Sequence, residues 1–181
     1  MRICGGEFRG RKISVPRGVR PVSLRVKEAC FNIIKEVLPS AGVLDLFAGT
    51  GSLGLEAISQ GAKDVYFAEK TRNHYKILLA NIESFGVEDK SVVFFGDCFE
   101  FLKKLVQEGL KFDIIFLDPP YYKGLIRKTL QAIKDYDILA HSGFIVSFCY
   151  YKDIFIEESG EFFLVLKKKY GQTLLLIHKI K

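Results

Sequence analysis

A chain of 181 residues, 49% apolar and 27% charged, suits one domain with a full core and excludes a disordered polypeptide. No apolar run is long enough for a bilayer span and the N-terminus lacks a signal-peptide core, so a cytoplasmic protein is expected. The net charge is +6, and residues 1–28 carry all of it: eight basic residues against two acids, with nineteen of each beyond.

Residues 1–22 read as a basic arm rich in Gly and Arg, with a short hairpin around Gly5-Gly6. Such a segment is either a polyanion-contacting surface or a solvated tail. Val26, Cys30, Ile33, Ile34, Val37 and Leu38 recur at helical spacing, which predicts a leading helix over 23–38 that Pro39-Ser40-Ala41-Gly42 ends.

Val43 to Phe47 reads as a buried strand, followed by a glycine turn and a helix near 52–60. Gly49, Gly51 and Gly54 fit G-x-G-x-x-G, which alone is weak evidence for a nucleotide fold. A P-loop is excluded, because no Gly-Lys-Ser/Thr follows. The next strand, near 65–69, ends on Glu69, close to where an acid reaches ribose hydroxyls. A helix near 72–84 leads to a strand near 92–96 and then to Gly96-Asp97-Cys98, where Asp97 could accept from an adenine amine. Taken singly, each acid reads as readily as a strand end or helix cap.

After a helix near 98–107, the strand near 113–117 runs into Asp118-Pro119-Pro120-Tyr121. Prolines remove amide donors, so the Asp118 carboxylate and backbone carbonyls remain as acceptors beside an aromatic face. That set suits an amino group on a planar base; by itself it equally suits a polar turn with a packed Tyr. A helix near 124–136 and a strand near 144–149 follow. Phe162 to Lys168 and Gln172 to Ile180 then form a hairpin through Lys169-Tyr170-Gly171. The alternation implies an α/β fold: a mostly parallel, seven-stranded sheet with a C-terminal antiparallel hairpin and helices on both faces. Cys4, Cys30, Cys98 and Cys149 have no paired spacing, and His74, His141 and His178 are scattered. Reduced thiols and no metal site are expected.

The order of glycine turn, Glu69, Asp97 and Asp-Pro-Pro-Tyr resembles the class I S-adenosylmethionine-dependent methyltransferases, in their amino-group branch. The blocks Arg2 to Lys12, Arg20 to Glu28 and Leu44 to Ala57 resemble the RsmD family more closely, and the likeness extends to Tyr170-Gly171-Gln172-Thr173. Leu24, Gln60 and Ser147 depart from that family's pattern, outside the core motifs. The resemblance implies a Rossmann-like core over 43–181 and methylation of a guanine N2 amine in 16S ribosomal RNA. The substrate would be an assembling small subunit, the enzyme a monomer, and S-adenosylhomocysteine the product. It further implies cofactor contacts from Asp45, Phe47, Ala48, Gly49, Thr50, Gly51, Gly54, Glu69, Lys70, Asp97, Cys98 and Asp118. Asp118, Pro119, Pro120 and Tyr121 would serve the base. With a base site beside it, the arm is expected to grip RNA phosphates through Arg9, Arg11, Lys12, Arg20 and Arg25. Adenine-N6 methylation and a catalytically silent RNA-binding module are the rivals, with a dinucleotide oxidoreductase behind them.

Overall fold

The computed structural model describes residues 1–16, 22–120, 124–152 and 162–180. Ser23 caps the first helix, α1 (Leu24–Ile34), by accepting from the Val26 amide. The helix stops four residues short of its expected end. Pro39 disfavours helical backbone at Leu38, and the chain closes instead through a tighter bond from the Val37 amide to the Ile34 carbonyl at 3.0 Å. Leu38 is still fully buried.

From there strands and helices alternate: β1 (Gly42–Asp45), α2 (Ser52–Ser59), β2 (Asp64–Glu69), α3 (Arg72–Phe85), β3 (Ser91–Phe95), α4 (Cys98–Gln107), β4 (Phe112–Leu117), α5 (Leu125–Asp135) and β5 (Leu139–Tyr150). A short 3-10 turn at Glu88–Lys90 precedes β3. The chain ends in the hairpin β6 (Phe162–Tyr170) and β7 (Thr173–Ile180). The sheet order is β3-β2-β1-β4-β5-β7-β6. The first five strands are parallel, and β7 pairs antiparallel with both β5 and β6. β5 starts earlier than its apolar pattern suggested. Leu139 pairs with Phe112, and a register shift absorbs the polar His141-Ser142-Gly143 before Phe144 pairs with Ile114.

Two apolar layers cover the sheet, and the period of two along each strand divides residues between them. Val43, Ile114, Phe116, Val146 and Phe148 face the layer under α1, α2 and α3. Leu44, Ile115, Leu117 and Ile145 face the layer under α4 and α5. The N-terminal segment belongs to the first layer, because Ile3 and Ile13 are buried in it. It is therefore folded onto the domain rather than held out as an arm. Arg2 pairs with Lys12 in an isolated antiparallel bridge, where the short hairpin is expected.

What pins this segment is a fully buried ion pair, Lys27 Nζ to Glu56 Oε2 at 2.8 Å. Glu56 also accepts from the Cys4 and Gly5 amides, and Lys27 donates to the Arg2 carbonyl at 2.8 Å. Charges this deep are tolerated only when such additional hydrogen bonds satisfy them.

Candidate active site

The chain leaves β1 in one direction, through β2 to β3, and later crosses back to β4 on the other side of β1. That reversal opens a crevice at the carboxyl ends of β1 and β4, where open α/β sheets take ligands. A cleft of about 680 Å3 lies there. The turn after β1, the end of β2, the Gly96-Asp97-Cys98 turn and Asp118-Pro119-Pro120 all line it.

Each wall has a local cause. The glycine turn closes through the Gly51 amide to the Ala48 carbonyl at 2.8 Å, and Gly49 and Gly51 have φ of 56° and 86°. Gly54 packs α2 against β2: a Cβ there would meet the Phe67 ring at 2.1 Å. The turn is held from two sides. Glu69 accepts from the Gly49 amide at 2.8 Å and from the Thr71 amide at 2.6 Å. Buried Asn81, on α3, donates to the carbonyls of Thr50 and Ser14 and so links the turn to the N-terminal segment. Asp97 is the N-cap of α4, accepting from the Phe99 amide at 3.0 Å, and its other oxygen stands 3.5 Å from Lys70 Nζ. An ordinary helix cap is thus part of its role, and the carboxylate still faces the cleft.

The electrostatics are dominated by two acids. Neither Asp45 oxygen has a hydrogen-bond partner, although the side chain is buried. Burial pushes its carboxyl up to about 7, and the charge of Asp118 adds to the rise; the nearby Gly54 and Phe47 amides offset it without forming bonds of normal geometry. Desolvation also lifts Asp118 to about 7. Asp118 keeps partial access to the cleft, so solvent there offsets part of that rise. Asp118 on the cleft wall, with donor-less Asp45 beneath the turn, gives this end of the crevice an acidic character that suits a cationic ligand group. Burial likewise raises the Cys98 thiol to about 12, which makes it a wall residue rather than a nucleophile.

Phe47, Ala48, Gly49, Thr50, Glu69, Lys70, Asp97, Cys98, Asp118, Pro119 and Pro120 come together on this cleft. Asp45, Gly51 and Gly54 do not line it; Asp45 lies beneath the turn, and the two glycines shape the turn and seat α2. Tyr121 and Arg20 lie outside the described residues. Arg9, Arg11, Lys12 and Arg25 are exposed and away from the cleft lining. Arg11 is also a packing residue, with its guanidinium 4.2 Å from the Phe85 ring centroid and bonded to the Ser84 carbonyl. Sequence reasoning missed Val22, Ser23, His74 and Tyr150, and with them the Tyr170–Thr173 turn. Val22, Ser23 and the Tyr170–Thr173 turn carried a signal, as parts of blocks that already stood out in the sequence.

A family model described as conserved hypothetical protein 95 matches residues 1–179. The chain is 37% identical over 147 residues to ribosomal RNA small subunit methyltransferase D of Escherichia coli, which covers 80% of this chain and 72% of that protein. It is 31% identical over 182 residues to YlbH of Bacillus subtilis, a candidate rRNA methyltransferase, covering 99% and 98%. Among solved structures, the candidate methyltransferase yhhF from Escherichia coli matches with a TM-score of 0.89 at 32% identity, over 100% of this chain and 98% of that one.

Proposed function

The chain belongs to the RsmD family, and on that premise we propose that it is an S-adenosylmethionine-dependent methyltransferase of small-subunit ribosomal RNA, acting on the exocyclic N2 amine of a guanine. Its sheet has the class I methyltransferase order with the terminal antiparallel pair. The observation that carries the proposal is the convergence of the glycine turn, Glu69, Asp97 and Asp118-Pro119-Pro120 on one cleft.

The residues fit the cofactor. Gly49 has open space beside its Cα, so a ligand can approach the backbone closely. Glu69 is fixed by two amides and keeps lone pairs for ribose hydroxyls. Asp118 on the cleft wall, with donor-less Asp45 beneath the turn, suits the positive charge of an amino-acid end and a sulfonium. Asp97 would take the adenine amine, with Lys70 and Cys98 beside it. When bound, the cofactor supplies an electrophilic methyl group.

The protein supplies position and field. A guanine N2 lone pair is delocalised into the ring, so the amine is a poor nucleophile. The Asp118 carboxylate and the Pro119 carbonyl accept from its two hydrogens, favour a tetrahedral nitrogen and stabilise the positive charge developing there. Tyr121 would stack on the base and orient it. The base must leave its stack to enter the cleft, as with other enzymes that act on bases. Holding amine and methyl in line supplies much of the rate.

The test is transfer of labelled methyl from S-adenosylmethionine to 16S rRNA and to assembling small subunits, followed by nucleoside analysis. Label in N2-methylguanosine is expected. Label in N6-methyladenosine would move the assignment to the adenine amine, and cofactor-independent RNA binding with no transfer would make the chain a silent module.

A further inference from the structure

The sequence places its excess charge before residue 29, yet folding gathers a second basic cluster from the other end of the chain. β5 runs parallel to β4, β7 antiparallel to β5 and β6 antiparallel to β7. The end of β5 and the β6–β7 turn therefore lie on the same sheet edge as Asp118. Strands are spaced ~4.8 Å apart, so this turn stands about 10–15 Å along that edge from β4. Tyr150, Tyr170 and Gly171 to Thr173 line the cleft itself.

Exposed lysines surround these rings. Lys169 Nζ stands 3.8 Å from the Tyr151 ring centroid and Lys152 Nζ 5.8 Å from the same ring. Lys168 Nζ stands 5.5 Å from the Tyr170 centroid. The Tyr150 and Tyr151 rings are 4.8 Å apart and tilted by 54°. Lysines neutralise phosphates and aromatic faces stack bases, a pairing that suits single-stranded nucleic acid without sequence readout. Ammonium groups already resting on rings lose less freedom when a phosphate arrives.

We propose that the C-terminal hairpin is a single-stranded RNA site. Lys152, Lys168 and Lys169 hold phosphates of the nucleotides that flank the target base, and Tyr151 offers a stacking face. The inference rests on the reading of the chain as an RNA methyltransferase. It adds a contact surface drawn from the C-terminal end of the chain to that of the basic N-terminal segment. Four acids, Asp153, Glu157, Glu158 and Glu161, follow Lys152 in sequence and lie outside the described residues. Salt dependence, rather than a count of charges, therefore decides the site's contribution.

The experiment compares the full wild-type chain with the triple variant K152A/K168A/K169A. RNA affinity is measured against salt for 16S rRNA and for an unrelated single-stranded oligonucleotide, beside calorimetry with S-adenosylmethionine. Affinity for both RNAs is expected to fall about tenfold or more, and the slope of log affinity against log salt to become shallower by roughly 2. Cofactor binding should stay unchanged, which also reports that the variant is folded. Tyr151→Ala should weaken RNA binding severalfold while Tyr151→Phe preserves it. Equal affinities and parallel slopes for wild type and triple variant would overturn the hairpin site and leave the proposed function standing. A wild type that neither binds nor methylates RNA would overturn the function, and this site with it.

Discussion

Asp45 sits in an environment far from its chemistry in water. Its buried carboxyl, raised from 3.8 to about 7, binds a proton in the folded chain that the unfolded chain has already released. Between those values the folded state holds more protons, so stability falls as pH rises through the window and levels off above it. Asp45→Asn is expected to stabilise the cofactor-free protein at pH 8, by an amount on the order of a few kcal/mol, and to match wild type near pH 4. Urea melts across that range check it; a variant with the wild-type stability at pH 8 would return the titration to another group. Wild-type affinity for S-adenosylmethionine should also rise with pH through 7 as the proton leaves and the cation takes its place. For Asp118→Ala the loss should appear in the chemical step. At saturating S-adenosylmethionine, single-turnover methylation is expected to drop on the order of a hundredfold or more, in addition to the weaker cofactor binding that loss of its charge brings. A few-fold loss would remove Asp118 from the mechanism.

At the scale of elements, the site depends on how closely α2 approaches the sheet. Gly54→Ala would drive a methyl into Phe67, and the expected destabilisation is about 1–3 kcal/mol. Combining it with Phe67→Leu should recover part of the loss, because the added space lies where the Cβ needs it; strict additivity in urea melts would refute the contact. The Lys27–Glu56 pair acts on the same helix from the other side. Lys27→Met leaves Glu56 buried with amide donors only, and a cost of about 3–5 kcal/mol is expected. The N-terminal segment should loosen first. Faster hydrogen exchange at Cys4 and Gly5 than in the rest of the variant would register this, since both amides bond to Glu56.

For the whole molecule, the question is where RNA is held. The N-terminal segment is packed through Ile3 and Ile13, so its exposed cations sit on a fixed surface. Charge reversal at Arg9 and Lys12 is expected to weaken RNA binding and flatten its salt dependence while leaving the modified nucleotide and cofactor affinity unchanged. Arg11 is the poorer probe, because its packing on Phe8 and Phe85 mixes stability with charge. Parallel salt slopes for wild type and the Arg9/Lys12 variant would make this face a solvated surface.

Much of this was readable from the chain. Strand ends carry their chemistry locally: an apolar run followed by Gly49, Glu69, Asp97 or Asp118 states both the strand and the polar residue at its mouth. Parallel crossovers then bring those mouths to one edge, so the cleft's main walls followed from order alone. The limits of α1 and β5 were less readable, because Pro39 acts on the residue before it and a register shift hides His141 to Gly143 inside a strand. The sequence by itself determined the α/β alternation, the glycine turn and the acceptor set after β4, all of which are contiguous patterns. Only the tertiary structure decided that Lys27 and Glu56 bury their charges together, that Asn81 braces the glycine turn, and that Asp45 is left without a donor. It also decided that the β6–β7 turn closes the cleft beside Tyr150. These features join residues far apart in the chain, and their energies arise from burial, which no local pattern of residues encodes.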